Sequence, residues 1–202
     1  MATRSIAAAS SVEEPPVGRE YWLAAAREAF IEGGVENVKV DRLARSLNVT
    51  RGGFYWHFKN RQDLLNALLH SWEQTNTKSM FDAVEALPRG DGARKFVALS
   101  RVWIEEIGFS PAYDAAVRDW ARTSSEVAQI VRQVDERRIK LVQSIFQENG
   151  FNAEEAMSRA EILYFHQVGH YAMGVTGSRP ARLKNVPRYY KVLTGKEIPE
   201  VV

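Results

Sequence analysis

The chain has 202 residues and a net charge of only +2, and it contains no cysteine. This length is enough for one large domain or two small ones, and the lack of cysteine excludes a disulfide framework, a thiolate nucleophile and cysteine-bound metal. Residues 1–17 are rich in Ala, Ser, Glu and Pro without a continuous apolar segment. They predict a disordered arm rather than a secretory signal. No stretch is apolar enough to predict a membrane span, so we expect a cytoplasmic protein.

The first predicted helix runs from Tyr21 to Glu32 and ends at Gly33-Gly34. A helix, a tight turn and a second helix follow between Val40 and Lys59. Asn48 is the turn residue, and Thr50 can cap the next helix with its hydroxyl group. This arrangement is the one that presents a recognition helix to the major groove of DNA. The expected inward residues of the three helices are Trp22, Leu23, Ala26, Ala29, Phe30, Leu43, Ala44, Leu47, Phe54 and Phe58.

Positive charge is concentrated in this segment. Six basic residues and a single acid, Asp41, lie between positions 39 and 61, which favours contact with phosphates. Gly52 and Gly53 stand in the first turn of the predicted recognition helix, where glycine costs up to about 1 kcal/mol relative to alanine. Close approach to DNA is one explanation, and a position without special meaning is an equally good one. The six basic residues are Lys39, Arg42, Arg45, Arg51, Lys59 and Arg61.

The stretch from Arg19 to Leu69 resembles the DNA-binding domain of the TetR family of bacterial transcription regulators. The resemblance lies in Val49-Thr50-Arg51-Gly52, Phe54-Tyr55-Trp56-His57-Phe58-Lys59-Asn60-Arg61 and Asp63-Leu64-Leu65. It implies an all-α dimeric regulator, most simply a repressor, that binds a pseudo-palindromic double-stranded operator. It also implies that DNA phosphates are held by Thr50, Tyr55, His57, Lys59 and Arg61, with Arg51 and Trp56 nearest the base edges and Gly52 close to the backbone.

Two positions depart from the family pattern. Asn48 replaces the common turn glycine, but asparagine tolerates a left-handed backbone. Gly53 replaces a polar residue often used to read bases, which leaves more of the readout to Arg51, Trp56 and Lys39. The aromatic pair at positions 55 and 56 could instead belong to the core. However, Phe54 and Phe58 already occupy the inward face, so at least one of the pair must point outward.

The remainder of the chain is predicted to be helical, since no segment has the alternating pattern of a strand. Asn60 is the expected N-cap of a fourth helix, which starts after it and runs to the breaker cluster at positions 88–92. Further helices are expected over 93–107, from Ser110-Pro111, from Ser124 to Asn149, and from Ala153 to Val175, followed by a proline-interrupted tail. We therefore expect residues 18–60 to form the helix-turn-helix domain. Residues 61–202 should form a helical effector-binding and dimerisation domain, with its first helix as the connector.

The two long helices after Ser124 suggest a homodimer, because such a pair can join its symmetry mate in a four-helix bundle. The corresponding pair forms the dimer interface in the TetR family. The alternative is that both helices are internal core. The expected interface residues are Val127, Val131, Val134, Leu141, Ile145, Ala156, Ala160 and Leu163.

Aromatic residues in the second domain predict a pocket for an apolar or aromatic small-molecule effector, although each residue taken alone fits ordinary core better than ligand contact. The pocket candidates are Trp103, Phe109, Tyr113, Trp120, Tyr164, Phe165 and His170. His166 and His170 have the spacing of a helical zinc pair, but a zinc protease needs glutamate where Gln167 stands. We therefore expect no catalytic residue, metal or cofactor. The alternatives are a helical oligomeric enzyme or scaffold without DNA affinity, and a DNA binder that needs no effector.

Overall fold

The computed structural model describes residues 18–175 and 177–199, and the expected disordered arm at 1–17 lies outside them. Within these ranges the chain forms nine α-helices, one short 3₁₀ helix and no strand, so the all-α prediction is confirmed. The helices are α1 (Arg19–Gly33), the 3₁₀ helix (Val35–Asn37), α2 (Val40–Ser46), α3 (Arg51–Phe54), α4 (Arg61–Glu85), α5 (Gly92–Glu105), α6 (Pro111–Ala121), α7 (Ser125–Glu148), α8 (Ala153–Ala172) and α9 (Arg179–Thr194).

Local sequence signals set most helix ends. The side chain of Asn60 accepts a hydrogen bond from the backbone N–H of Asp63 and so caps α4. Ser110 caps α6 in the same way, with Pro111 at the first helical position. Asn48 adopts the left-handed backbone expected of the turn residue, with φ of 54°. Thr50 occupies the N-cap position of α3, but its hydroxyl makes no capping hydrogen bond, contrary to our expectation.

The recognition helix is shorter than predicted, because α3 ends at Phe54 and residues 55–57 form a turn. Phe58 nevertheless packs inward beside Phe54, with ring centroids 5.4 Å apart. The proline-interrupted tail forms a helix of its own, α9, in which Tyr190 is buried and Val192 is exposed.

Two hydrophobic clusters form the core. The first joins the inner faces of α1–α3 to the first half of α4, to Tyr113 and Val117 of α6, and to the first half of α7. The second joins the remainder of α4 and α7 to α5, α8 and α9. Packing is therefore continuous across residue 60, because helices α4, α6 and α7 complete the core of the first three helices.

The eight predicted interface residues are all buried within a single protomer. Val127, Val131 and Val134 of α7 belong to the first cluster, and the other five belong to the second. Side chains enclosed in this way cannot form a surface for a second copy. An amphipathic stripe shows which face of a helix is buried but not what covers it, and here the covering elements belong to the same chain. The five in the second cluster are Leu141, Ile145, Ala156, Ala160 and Leu163.

Candidate nucleic-acid interface and ligand cavity

Two aromatic side chains project from the turn after α3. Trp56 is 88% exposed and Tyr55 is 52% exposed, whereas the neighbouring Phe54 and Phe58 are buried. The two inward phenylalanines fix the backbone of this turn and so force the other pair outward. A tryptophan with this exposure contributes little to the core, since burial is what makes an aromatic side chain stabilising. The surface around position 56 is therefore available to a partner.

Arg51 lies at the start of α3 and is oriented by its neighbours. Its Nη2 donates to the hydroxyl of Tyr55 at 3.2 Å, and its Nη1 lies 3.5 Å from Asp41 of α2. The hydrogen bond to Tyr55 and the charge of Asp41 raise the pKa of Arg51 above its ordinary value. Both partners are exposed, so the guanidinium remains accessible at the surface.

Other basic side chains extend the same surface. Lys39 precedes α2 and Lys59 precedes α4, and both are exposed, whereas His57 is half-buried. Because the segment from 39 to 61 carries five more positive than negative charges and the whole chain only +2, the other residues together are net negative. Positive charge is thus concentrated in the segment that contains α3.

Arg61 has a different environment from that expected of a phosphate contact. Its Nε donates to the carbonyl of Val38 at 2.7 Å, and its Nη2 donates to the carbonyl of Val35. These bonds tie the start of α4 to the 3₁₀ helix, and the residue is half-buried. The structure therefore assigns Arg61 to the internal support of the first three helices, a role that its position in the basic run did not reveal.

The interior of the protomer does not require glycine at positions 52 and 53. A Cβ atom added to Gly52 would meet only the hydroxyl oxygen of Thr50 at 3.6 Å, and one added to Gly53 would meet Trp22 at 3.9 Å. Both are ordinary van der Waals distances. Neither residue has a positive φ angle. The explanation for these glycines therefore lies outside the fold, or else there is none.

A cavity of about 280 Å³ lies between α5, α6, α7 and α8. Trp103, Phe109 and Tyr164, three of the predicted pocket residues, line it, and Tyr171 adds a further aromatic wall. Charged and polar residues line its other side. The sequence did not identify these as pocket residues; they are Asp114, Arg118, Asp119, Arg122, Arg138 and Gln167.

The charged wall is a hydrogen-bonded network. Asp114 accepts from Arg118 Nε at 2.8 Å and from Arg138 Nη1 at 2.9 Å, and Asp135 accepts from both terminal nitrogens of Arg118. Burial opposes the charge on Asp114, but the two guanidinium groups outweigh it and lower its pKa below the ordinary value. Burial raises the pKa of Tyr164, whose hydroxyl donates to Asp135 at 2.6 Å. Asp114 and the two arginines therefore keep their charge at neutral pH.

Four predicted pocket residues lie elsewhere. Tyr113 is fully buried and donates its hydroxyl to the carbonyl of Leu68, and Trp120 packs edge-on against Phe30 of α1. Burial raises the pKa of Tyr113 to about 12. Phe165 and His170 line a separate groove between α5, α8 and α9. These four were misplaced because aromatic type alone does not distinguish core, groove and cavity.

No group of three His, Cys, Asp or Glu side chains within 18–175 and 177–199 is placed to hold a metal ion. In the same part of the chain, no helix is both long and apolar enough to cross a membrane.

The exposed aromatic-basic surface and the three-helix arrangement define a helix-turn-helix protein with a helical C-terminal region. The family described as bacterial regulatory proteins, tetR family, matches residues 23–68. Over 64 residues the chain is 39% identical to the HTH-type transcriptional regulator TtgR of Pseudomonas putida, a match that covers 32% of this chain and 30% of that protein. The similarity to the TetR family of bacterial regulatory proteins therefore lies in the helix-turn-helix region, over residues 23–68.

Solved structures extend the likeness of the fold to the C-terminal region. The reduced form of NemR from Escherichia coli superposes with a TM-score of 0.70 at 15% identity, over 87% of this chain and 97% of that one. AibR, in complex with isovaleryl coenzyme A and operator DNA, gives 0.65 at 14% identity, over 84% and 96%. The match to TtgR spans only 30% of that protein's length, and the solved structures add a likeness of fold alone.

Proposed function

We propose that this protein is a transcriptional regulator that binds a pseudo-palindromic operator as a homodimer and is released from it by a small molecule, as a repressor in the cytoplasm. The observation that carries the proposal is that Tyr55 and Trp56, in the turn after α3, are exposed within a segment rich in basic residues. The sequence match to transcriptional regulators covers this same region. A catalytic function has no comparable support among the described residues.

On this proposal, residues 18–60 form the DNA-binding domain and 61–202 the effector-binding and dimerisation domain. Arg51 and Trp56 lie nearest the base edges, and Lys39 flanks them. Gly52 allows close approach of the helix backbone. Arg61 holds the domain together, because its guanidinium group donates to the carbonyls of Val38 and Val35. The remaining proposed contacts to DNA phosphates are Thr50, Tyr55, His57 and Lys59.

The proposed dimer surface lies on the outer face of α8 and α9. Ile162 and Phe165 are exposed one turn apart on α8, and Met173, the residue that follows this helix, is exposed as well. His166 of α8 contacts Tyr189 of α9 with ring centroids 5.1 Å apart, so the exposed residues of α9 lie beside them. A two-fold pairing of this face builds a four-helix bundle from α8, α9 and their copies. It replaces the interface that was expected from the buried stripe.

The proposed response to a ligand depends on α4, which runs from the DNA-binding domain past the cavity. Trp72 of α4 donates its indole N–H to Asp114 at 3.0 Å, and Arg138 donates to Thr77 of α4 at 3.0 Å. A ligand that moves this network therefore acts directly on the helix that begins at the DNA-binding domain. The release of DNA requires that the ligand prefer the arrangement that fits DNA less well.

The experiment that tests the proposal selects binding sites for the purified protein from random duplex DNA and then measures the affinity of three variants. We expect a pseudo-palindromic site. Lys59→Ala should weaken binding to all sequences and reduce the salt slope by about one unit, and Arg51→Ala should relax base preference. Lys78→Ala, which removes an exposed lysine of α4 paired with Asp82, is the matched control. Absence of DNA binding at low salt, or parent-like behaviour of both test variants, would refute the proposal.

A further inference from the structure

The acceptors of the charged network beside the cavity are fully engaged. Asp114 accepts three hydrogen bonds, from Trp72, Arg118 and Arg138. Asp135 accepts two from Arg118 and one from the hydroxyl of Tyr164. The network therefore has little capacity left to accept a hydrogen bond from a ligand.

Its donors, in contrast, are not all used. Arg138 donates from Nε to Thr77 and from Nη1 to Asp114, but its Nη2 has no acceptor among the described residues. The Nε2 atom of Gln167 also lacks one. Both residues line the cavity, and they are only 1% and 8% exposed. Buried donors are almost always paired in folded proteins, so two unpaired donors at one cavity indicate that an acceptor is supplied from outside.

The charges of the network determine what kind of acceptor fits. Two arginines face two aspartates, Asp114 and Asp135, at hydrogen-bonding distances. Their charges balance, so an additional buried carboxylate would have no counter-charge of its own, and burying an uncompensated charge is costly. A neutral oxygen, such as that of a carbonyl group, satisfies the donors without this cost.

The opposite wall and the size of the cavity determine the rest of the ligand. Trp103, Phe109 and Tyr171 offer aromatic surface, which favours a flat ring by stacked or edge-on contact. A dry cavity of about 150 Å³ holds benzene, and this one has about 280 Å³. One or two fused rings therefore match the available space.

We propose that the cavity binds a neutral aromatic molecule of one or two rings whose carbonyl oxygen accepts hydrogen bonds from Arg138 Nη2 and Gln167 Nε2. The role of this molecule as the effector rests on the proposed function, but its binding to the cavity does not depend on DNA. The test therefore measures ligand affinity in the absence of DNA. If the parent protein bound no operator DNA, the proposed function would be refuted and this inference would be unaffected. If the parent bound operator DNA but not the aromatic ligand, this inference would be refuted and the DNA-binding function would be unaffected.

The experiment compares two probes of the same shape by isothermal titration calorimetry on the full chain. 1-Tetralone carries the carbonyl group, and tetralin is its hydrocarbon counterpart. We expect 1-tetralone to bind at least tenfold more tightly, as a hydrogen bond to a charged donor allows. The anion 1-naphthoate should bind more weakly than 1-tetralone.

Two variants locate the effect. Gln167→Leu removes an unpaired buried donor, so it should fold at least as stably as the parent while it reduces the preference for 1-tetralone at least threefold. Arg138→Lys keeps the positive charge but lacks the Nη2 donor, and it should also reduce the preference. Gln129→Leu, at an exposed position of α7, is the matched control and should leave the preference unchanged.

Equal affinity for 1-tetralone and tetralin, or no binding of either at 1 mM, would overturn the inference. So would a preference for 1-tetralone that survives unchanged in Gln167→Leu, which keeps its fold and therefore gives a clear answer. Tighter binding of 1-naphthoate than of 1-tetralone would show that the site selects an anion and would overturn the proposed neutral ligand.

Discussion

Gly52→Ala should make the protein more stable and a weaker DNA binder. The added methyl group meets only the hydroxyl of Thr50 at 3.6 Å, so it fits without strain. Alanine is favoured over glycine within a helix by about 0.5–1 kcal/mol. For a chain of this size, that gain corresponds to a rise of about 1–4 °C in the unfolding temperature. The stability of the free protein therefore argues against glycine at this position.

The opposite effect is expected on DNA. If the start of α3 lies against the operator, a methyl group at position 52 separates the two surfaces and disturbs the contacts of Arg51 beside it. A tenfold loss of affinity corresponds to about 1.4 kcal/mol, which a poorly seated recognition helix easily exceeds. Thermal unfolding followed by circular dichroism measures the first effect, and titration of fluorescent operator DNA measures the second.

Thr75→Ala is the control for the gain in stability. It also improves helix propensity, at an exposed position of α4 about 20 Å along the helix from Arg61. It should raise the unfolding temperature by a similar amount and leave DNA affinity unchanged. If Gly52→Ala gained stability and bound the operator as tightly as the parent, glycine would have no role in DNA contact. If it lost stability, the description of the local fold would be wrong.

Two other predictions concern assembly and pH. Phe165→Arg on the outer face of α8 should give a folded monomer in sedimentation experiments, whereas Tyr21→Arg, equally exposed at 58% but on α1, should leave the dimer intact. Val134→Arg should unfold the protomer instead, because that side chain is buried. A parent protein that sediments as a monomer would refute the proposed surface. Because the pKa of Asp114 is lowered in the folded state, its contribution to stability is present above its unfolded value of about 4 and is lost as the pH falls through the folded value. The free energy of unfolding, measured with urea between pH 3 and pH 7, should therefore vary less with pH in Asp114→Asn than in the parent. An unchanged pH dependence would contradict the stabilising role given to the Asp114 carboxylate.

The sequence predicted the features that depend on a few neighbouring residues. The left-handed turn at Asn48, the cap at Asn60 and the start of α6 at Ser110-Pro111 all follow from local backbone chemistry, and the structure has each of them. The outward direction of Trp56 was also accessible, since Phe54 and Phe58 leave no inward place for it. In these cases the deciding atoms lie within a turn or two of one another.

Features that depend on distant elements could not be predicted in the same way. The stripe of Val131 and Val134 on α7 correctly indicated a buried face, but only the tertiary structure reveals that the same chain covers it. Arg138 continues that stripe, and this was the one available sign that a charged residue is buried among apolar ones. Its partner Asp114 is 24 residues away on another helix. No local pattern identifies such a pair.

On the proposed function, the buried network connects the cavity to the helix that begins at the DNA-binding domain. Besides the contacts of Trp72 and Thr77, the hydroxyl of Tyr113 on α6 donates to the backbone carbonyl of Leu68 on α4 at 2.6 Å. Coupling between two sites is typically about 1–3 kcal/mol, a 5- to 150-fold change in affinity. A ligand contact contributes to that change only if it differs in strength between the position of α4 that fits DNA and the position that does not. On the proposed function, we expect the discriminating contact to be the one at Arg138, because its guanidinium group also bonds Thr77 of α4.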